Sequence, residues 1–126
     1  MTMKVELGEL AERLSDYTYA YLVTVGDEGR AHLLAVLPEL AGDHVTIGGV
    51  GKHSLANVGG NPVATLVWPP ASPDGFSLIV DGSAVLGKAD GEIVVTPTKA
   101  ILHRPAVDVA GKRTGSDCAP VAVADR

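Results

Sequence analysis

Positive charge is scarce in this 126-residue sequence: 10 Lys and Arg stand against 15 Asp and Glu, leaving a net charge of −5. That balance is opposite in sign to what a phosphate-backbone binder needs and argues against nucleic acid as a partner. Cysteine is nearly absent; with Cys118 alone no intrachain disulfide can form, which fits a reducing compartment. No apolar run approaches the ~20 residues needed to cross a bilayer. The first residues carry acids where a secretion signal would need an unbroken apolar stretch. The expectation is a cytoplasmic protein with neither a membrane nor nucleic acid as partner. Aromatic side chains are equally few, with Tyr17, Tyr19, Tyr21, Trp68 and Phe76 making up 4%.

Chemical signatures are also missing. His32, His44, His53 and His103 are dispersed, and no pair has the spacing of a helical or zinc-finger metal site, so no metal is expected. No G-x-S-x-G elbow surrounds a serine, and nothing beside Cys118 supplies a partnering base.

What the sequence has in quantity is punctuation: 15 glycines and 8 prolines divide the chain into short segments. The size fits one domain spanning 1–126, with a core over about 5–103 and an irregular tail over 104–126. Leu7, Leu10, Ala11 and Leu14 fall at i, i+3, i+4 and i+7 and predict an amphipathic first helix ending near Asp16. The segments 19–25 and 30–37 read as strands of a hairpin turned by Gly26-Asp27-Glu28-Gly29. His44 to Ile47 alternates as a third strand, and Lys52 to Val58 reads as a short helix stopped by Gly59-Gly60 and Pro62. Strands follow at 63–68 and 76–86, the latter with a bend or bulge at Asp81-Gly82. The sixth strand, 92–103, contains Pro97, which restricts that position to an edge or bulge; a helix over Thr98 to Leu102 is the competing reading. Six strands with short connections and two short helices predict a mainly β chain, a partly open antiparallel barrel, with an open α+β sheet as the alternative.

The glycine-rich stretch before the second helix matches no nucleotide motif. His53 follows Lys52 where a phosphate loop needs Ser or Thr, and Ser54 stands where the dinucleotide pattern needs its last glycine. Two readings remain. Glycines, Lys52, His53 and Ser54 at a helix start, with free backbone N–H groups, favour an anion; equally, this is a strand-to-helix turn capped by Ser54.

Taken in order, the hairpin Asp27-Glu28-Gly29-Arg30-Ala31-His32, the third strand, and Gly51-Lys52-His53-Ser54-Leu55-Ala56-Asn57-Val58-Gly59-Gly60-Asn61-Pro62-Val63 resemble the pyridoxamine 5′-phosphate oxidase-like FMN-binding split-barrel family. The resemblance runs over residues 5 to 103 and includes Thr96-Pro97-Thr98-Lys99-Ala100. It implies a six-stranded split barrel that dimerises, with a flavin or deazaflavin between subunits and its phosphate held near the second helix. On that reading Lys52, His53 and Ser54 hold phosphate, Arg30 and Lys99 are further cationic candidates, and Trp68 walls the ring-binding cleft. Ser54 occupies the position of the family's phosphate-binding lysine, and Ala31 that of the hairpin proline. The strand 31–37 lacks the internal arginine of the true oxidases, and the tail offers only His103-Arg104 in place of their arginine-x-histidine motif. The function expected is therefore a flavin- or deazaflavin-dependent oxidoreductase of unidentified substrate, not an authentic pyridoxamine phosphate oxidase. The alternative is a non-catalytic small-ligand-binding dimer on the same scaffold that has lost its cofactor. No residue stands out as a catalytic acid or base.

Overall fold

The computed structural model describes residues 1–107 and 113–115. In chain order they form β1 (Thr2–Val5), a 3-10 turn (Leu7–Glu9), α1 (Leu10–Leu14), β2 (Ala20–Val25), β3 (Ala31–Val36), β4 (Glu39–Ala41), β5 (His44–Ile47), α2 (Lys52–Gly60), β6 (Val63–Trp68), β7 (Ser77–Leu86) and β8 (Ile93–His103). A separate two-stranded pairing joins β9 (Ala106–Val107) to β10 (Arg113–Gly115). Cys118 and most of the expected tail lie outside the described residues.

The main sheet is antiparallel, with strand order β3-β2-β6-β7-β8-β5-β4 and β1 added to β8. It curls into a half-barrel. The expectation of six strands is corrected to eight, and both additions have a physical reason for escaping the sequence pattern. In β1 only Val5 is buried, so Thr2, Met3 and Lys4 show no apolar face. β4 is three residues long and is fixed by a tight hairpin with β5, turned by Gly42 at φ 64°. The first helix is also shorter than its leucine stripe predicts. It splits into the 3-10 turn and α1; Gly8 lies in its first turn, and only Leu10 of the stripe is buried.

Alternate residues of the strands fill the concave side. Leu22 of β2 lies opposite Leu66 of β6, Leu66 opposite Val80 of β7, and Val80 opposite Ala100 of β8, so one continuous apolar row crosses four strands. Two residues along each strand, Trp68, Leu78 and Leu102 form a parallel row.

β8 is a single strand, without the competing helix at Thr98 to Leu102. Its bulge leaves Thr98 unopposed between the pairs Asp81 with Lys99 and Gly82 with Pro97, and the Thr98 hydroxyl donates to the Asp81 carbonyl at 3.2 Å. On its other side β8 pairs with β5 through 93–95 and with β1 through 100–103. Pro97, with no N–H to donate, therefore sits in the gap between those two partners. Gly82 is required at the bulge, because a Cβ there would lie 2.6 Å from the Thr96 carbonyl oxygen and from Val95 Cγ1. Gly82→Ala is expected to destabilise the domain by about 1–3 kcal/mol, read as a lowered urea midpoint at unchanged slope.

Candidate functional site

The hairpin between β2 and β3 is tied at its base by the Gly26 N–H donating to the Arg30 carbonyl at 3.0 Å, with Gly29 at φ 78° making the turn. Helix α2 is pinned against this hairpin by two amides. Asn57 Nδ2 donates to the fully buried Thr24 hydroxyl at 3.1 Å, and Asn61 Nδ2 donates to the Val25 carbonyl at 3.3 Å. Gly26 is what permits the approach, since a Cβ there would meet Asn57 Oδ1 at 3.0 Å.

That anchoring places the first turn of α2 beside the start of β3 and brings His53 to His32, with ring centroids 5.8 Å apart. Around them opens a cavity of about 500 Å³, lined also by Asp27, Glu28, Arg30 and Asn57. The helix entrance is polar in a particular way. Gly51 is the cap residue and supplies no side-chain hydrogen bond, while its carbonyl accepts from the Leu55 N–H at 3.1 Å. The N–H groups of Lys52, His53 and Ser54 precede the first helical bond and have no partner within the helix, so their partial positive charge is available to an anion.

A second cavity, of about 540 Å³, lies at the other end of β3 and is lined by Tyr19, Ala35, Leu37, Glu39, Gly48 and Gly49. The Tyr19 and Tyr21 rings meet edge to face at 5.4 Å, and the interaction of the Tyr19 O–H with the Tyr21 phenol, which favours the neutral form, holds Tyr19 above its usual pKa range. β3 is an edge strand, paired only with β2, and the segment 48–53 contributes to both cavities. From His32 to Leu37 the chain rises by roughly 17 Å at ~3.3 Å per residue.

The six residues singled out from the sequence are thus separated. Arg30 and His53 line the first cavity, and exposed Lys52 begins α2 next to His53. Ser54 is fully buried, and its hydroxyl has no hydrogen-bond partner, so it neither caps the helix nor reaches the cavity surface. Lys99 is exposed on β8 opposite Asp81, across the sheet. Trp68 is 4% exposed, belongs to the core and lines neither cavity. Sequence reasoning missed His32, Asn57 and Tyr19 as site residues. Asn57 and His32 lay inside the quoted family motifs, but only the fold shows that they face one space.

Among the described residues no three His, Cys, Asp or Glu side chains are grouped to hold a metal ion, and no helix is long and apolar enough to cross a membrane.

No family model matches the chain. An uncharacterized protein of Mycobacterium bovis is 39% identical over 132 aligned positions, covering 91% of this chain and 93% of that protein, and an uncharacterized protein of Mycobacterium tuberculosis matches to the same extent. Among solved structures, the FAD-binding protein from Mycobacterium smegmatis superposes with a TM-score of 0.60 at 19% identity, covering 82% of this chain and 100% of that one. An F420 reductase superposes with a TM-score of 0.55 at 19% identity (71% and 94% covered), and the heme storage protein HutZ from Vibrio cholerae with 0.57 at 14% (79% and 94%). What these solved structures share with the chain is the fold, a curled antiparallel split barrel.

Proposed function

The chain belongs to one family with the uncharacterized mycobacterial proteins, and from that membership, its split-barrel fold and its two cavities we propose that it binds a phosphorylated flavin or deazaflavin, FMN foremost. The observation that carries this reading is the pair of cavities along β3. One end offers Arg30, His53, nearby Lys52 and unpaired helix N–H groups beside Asp27 and Glu28; the other offers Tyr19, Leu37 and the unobstructed backbone of Gly48 and Gly49. A ligand with a phosphate at one end, a polyol spacer and a planar ring at the other matches that division.

The residues present fit such a group, with the cationic role carried by Lys52 and Arg30, a ring nitrogen of His53 beside them, and none of it by the buried Ser54. When bound, the ring would supply hydride or electron transfer. The protein's own contribution is to orient it: α2 fixes the phosphate, the Asn57 and Asn61 bonds fix α2, and Tyr19 and Leu37 present an apolar wall at the ring end. Asp27, Glu28, His32 and His53 line the first cavity, but no catalytic acid or base is assigned among them, and the reading is an oxidoreductase of unassigned substrate and not a pyridoxamine phosphate oxidase. Substitution of the family lysine by buried Ser54 favours a second reading, a non-catalytic ligand-binding protein. The two separate on whether photoreduced FMN bound to the protein passes electrons to an added acceptor faster than free reduced FMN does.

A charge-assisted contact from Lys52 is worth roughly 1.5–3 kcal/mol, so Lys52→Ala is expected to weaken FMN by about ten- to a hundredfold and leave riboflavin unchanged. Fluorescence titration measures both. Equal effects on the two ligands would remove Lys52 from the phosphate site.

We further propose a homodimer. The convex face of the sheet carries Tyr21, Leu33, Leu37 and Val63, exposed by 37, 57, 75 and 57%. Tyr21 lies opposite Val67, and Val23 opposite Leu33, so these side chains adjoin on one apolar surface that a second copy would cover. Sedimentation equilibrium is expected to give twice 12.9 kDa for the native chain and the monomer mass for Leu33→Glu. A native monomer at micromolar concentration would refute the dimer.

A further inference from the structure

Of the four histidines, two are committed and two are not. His103 Nδ1 is 3.0 Å from the Thr2 hydroxyl, and His44 Nδ1 is 3.3 Å from Asp43 Oδ1. His32 and His53 have no hydrogen-bond partner among the described residues, although they face each other inside the same cavity. They come from separate elements, the second residue of β3 and the second of α2, and are held together by the Asn57 and Asn61 bonds. Two imidazoles kept adjacent with all their ring nitrogens unspent have a specific use. We propose that His32 and His53 form a binding site for one divalent transition-metal ion of the zinc, nickel or copper type.

The ring spacing falls within the range that chelation requires. With metal–nitrogen bonds of about 2.0–2.1 Å and a ring centre about 1.1 Å behind the ligating nitrogen, two imidazole centroids stand about 5.2 Å apart at a tetrahedral angle and about 6.3 Å apart when opposed. The observed 5.8 Å lies between these limits. Imidazole is the ligand shared by these metals, and their affinities follow the order that places copper highest. Asp27 and Glu28 line the same cavity and offset the charge of Arg30 there, so the ion would not enter a purely cationic space. Only two protein ligands are supplied, because no third His, Cys, Asp or Glu joins them among the described residues. The remaining positions belong to water or to an oxygen of a bound ligand, which makes this an open site and not a structural one. The metal site shares His53 with the phosphate end proposed above but stands on the two imidazoles alone, and its test is run without flavin.

The test uses the full chain, stripped with EDTA and exchanged into phosphate-free buffer at pH 7.5, titrated calorimetrically with Zn²⁺ alone. The expected result is saturable uptake in the micromolar range that weakens at least tenfold in His32→Ala and in His53→Ala, and stays unchanged in His44→Ala. Both substituted side chains reach the cavity surface, and circular dichroism checks that each variant folds. In the nuclear magnetic resonance spectrum, sub-stoichiometric Ni²⁺ should broaden the ring signals of His32 and His53 before those of His44 and His103. Absence of saturable uptake, or uptake unaltered in both His32→Ala and His53→Ala, would overturn the proposal. FMN binding measured in EDTA reports on the flavin reading separately, so the two failures are distinguishable.

Discussion

Trp68→Ala is expected to lower folding stability by about 3–5 kcal/mol, the cost of emptying a large aromatic volume from a close-packed interior. Trp68 ends β6 with 4% of its surface exposed, lies opposite Leu78 of β7, and through that strand faces the row ending in Leu102 of β8. Its neighbours are held by backbone ladders on both sides and cannot collapse far into the void. For a domain of this size the loss corresponds to a fall in Tm of more than about 10 °C. Flavin affinity of the folded fraction should stay as it was, because neither cavity touches Trp68. A variant of native stability that had lost flavin binding would return Trp68 to the cleft where sequence reasoning had placed it.

The second large effect is at Ser54. Ser54→Lys, which introduces the residue type of the motif that the sequence resembles, is expected to destabilise the protein by several kcal/mol and not to improve binding. Ser54 is fully buried and its hydroxyl already lacks a partner. An ammonium placed there would lose its hydration with no carboxylate to meet it, a penalty of several kcal/mol in real protein interiors. Either the side chain snorkels out and drags the first turn of α2 with it, or the helix loosens; both weaken the Asn57 anchor. Ser54→Ala removes the orphaned hydroxyl and should be neutral to stabilising, by up to about 1 kcal/mol. Thermal unfolding of the two variants side by side gives opposite signs on this account. A Ser54→Lys protein as stable as the native one, with tighter FMN binding, would show that α2 repacks to present a lysine.

These two residues illustrate what could and could not be read from the chain. Alternation made β5 legible, where Val45 and Ile47 are buried between half-buried His44 and Thr46, while β2 was legible as a short run of β-branched and aromatic residues ending at Gly26. β1 left no such trace, since it is an edge strand exposed except at Val5. The helix entrance was legible from Gly51, Lys52 and the two asparagines of the family motif, but the direction of each side chain was not. Ser54 and Lys52 are two residues apart and so lie on different faces of α2, one beneath it and one in solvent. His32 stood in the quoted hairpin motif but was given no role, for a different reason. A lone histidine in a strand carries no signal of its own, and its partner is 21 positions away on another element, brought close only by the Asn57 and Asn61 bonds. Trp68 stayed open in the sequence because an aromatic at a strand end next to two prolines can wall a cleft or plug a core, and its burial gives the second.

The central claim is that one end of the site recognises phosphate, and calorimetric titration of the native chain with FMN and with riboflavin under identical conditions tests it most directly. FMN and riboflavin share the ring and the polyol, so the difference between them isolates the contacts of Lys52, His53, Arg30 and the α2 N–H groups. The account predicts saturable FMN binding at least about tenfold tighter than riboflavin, the factor that 1.4 kcal/mol of phosphate recognition supplies. Equal affinities for the two, or no heat with FMN, would contradict it.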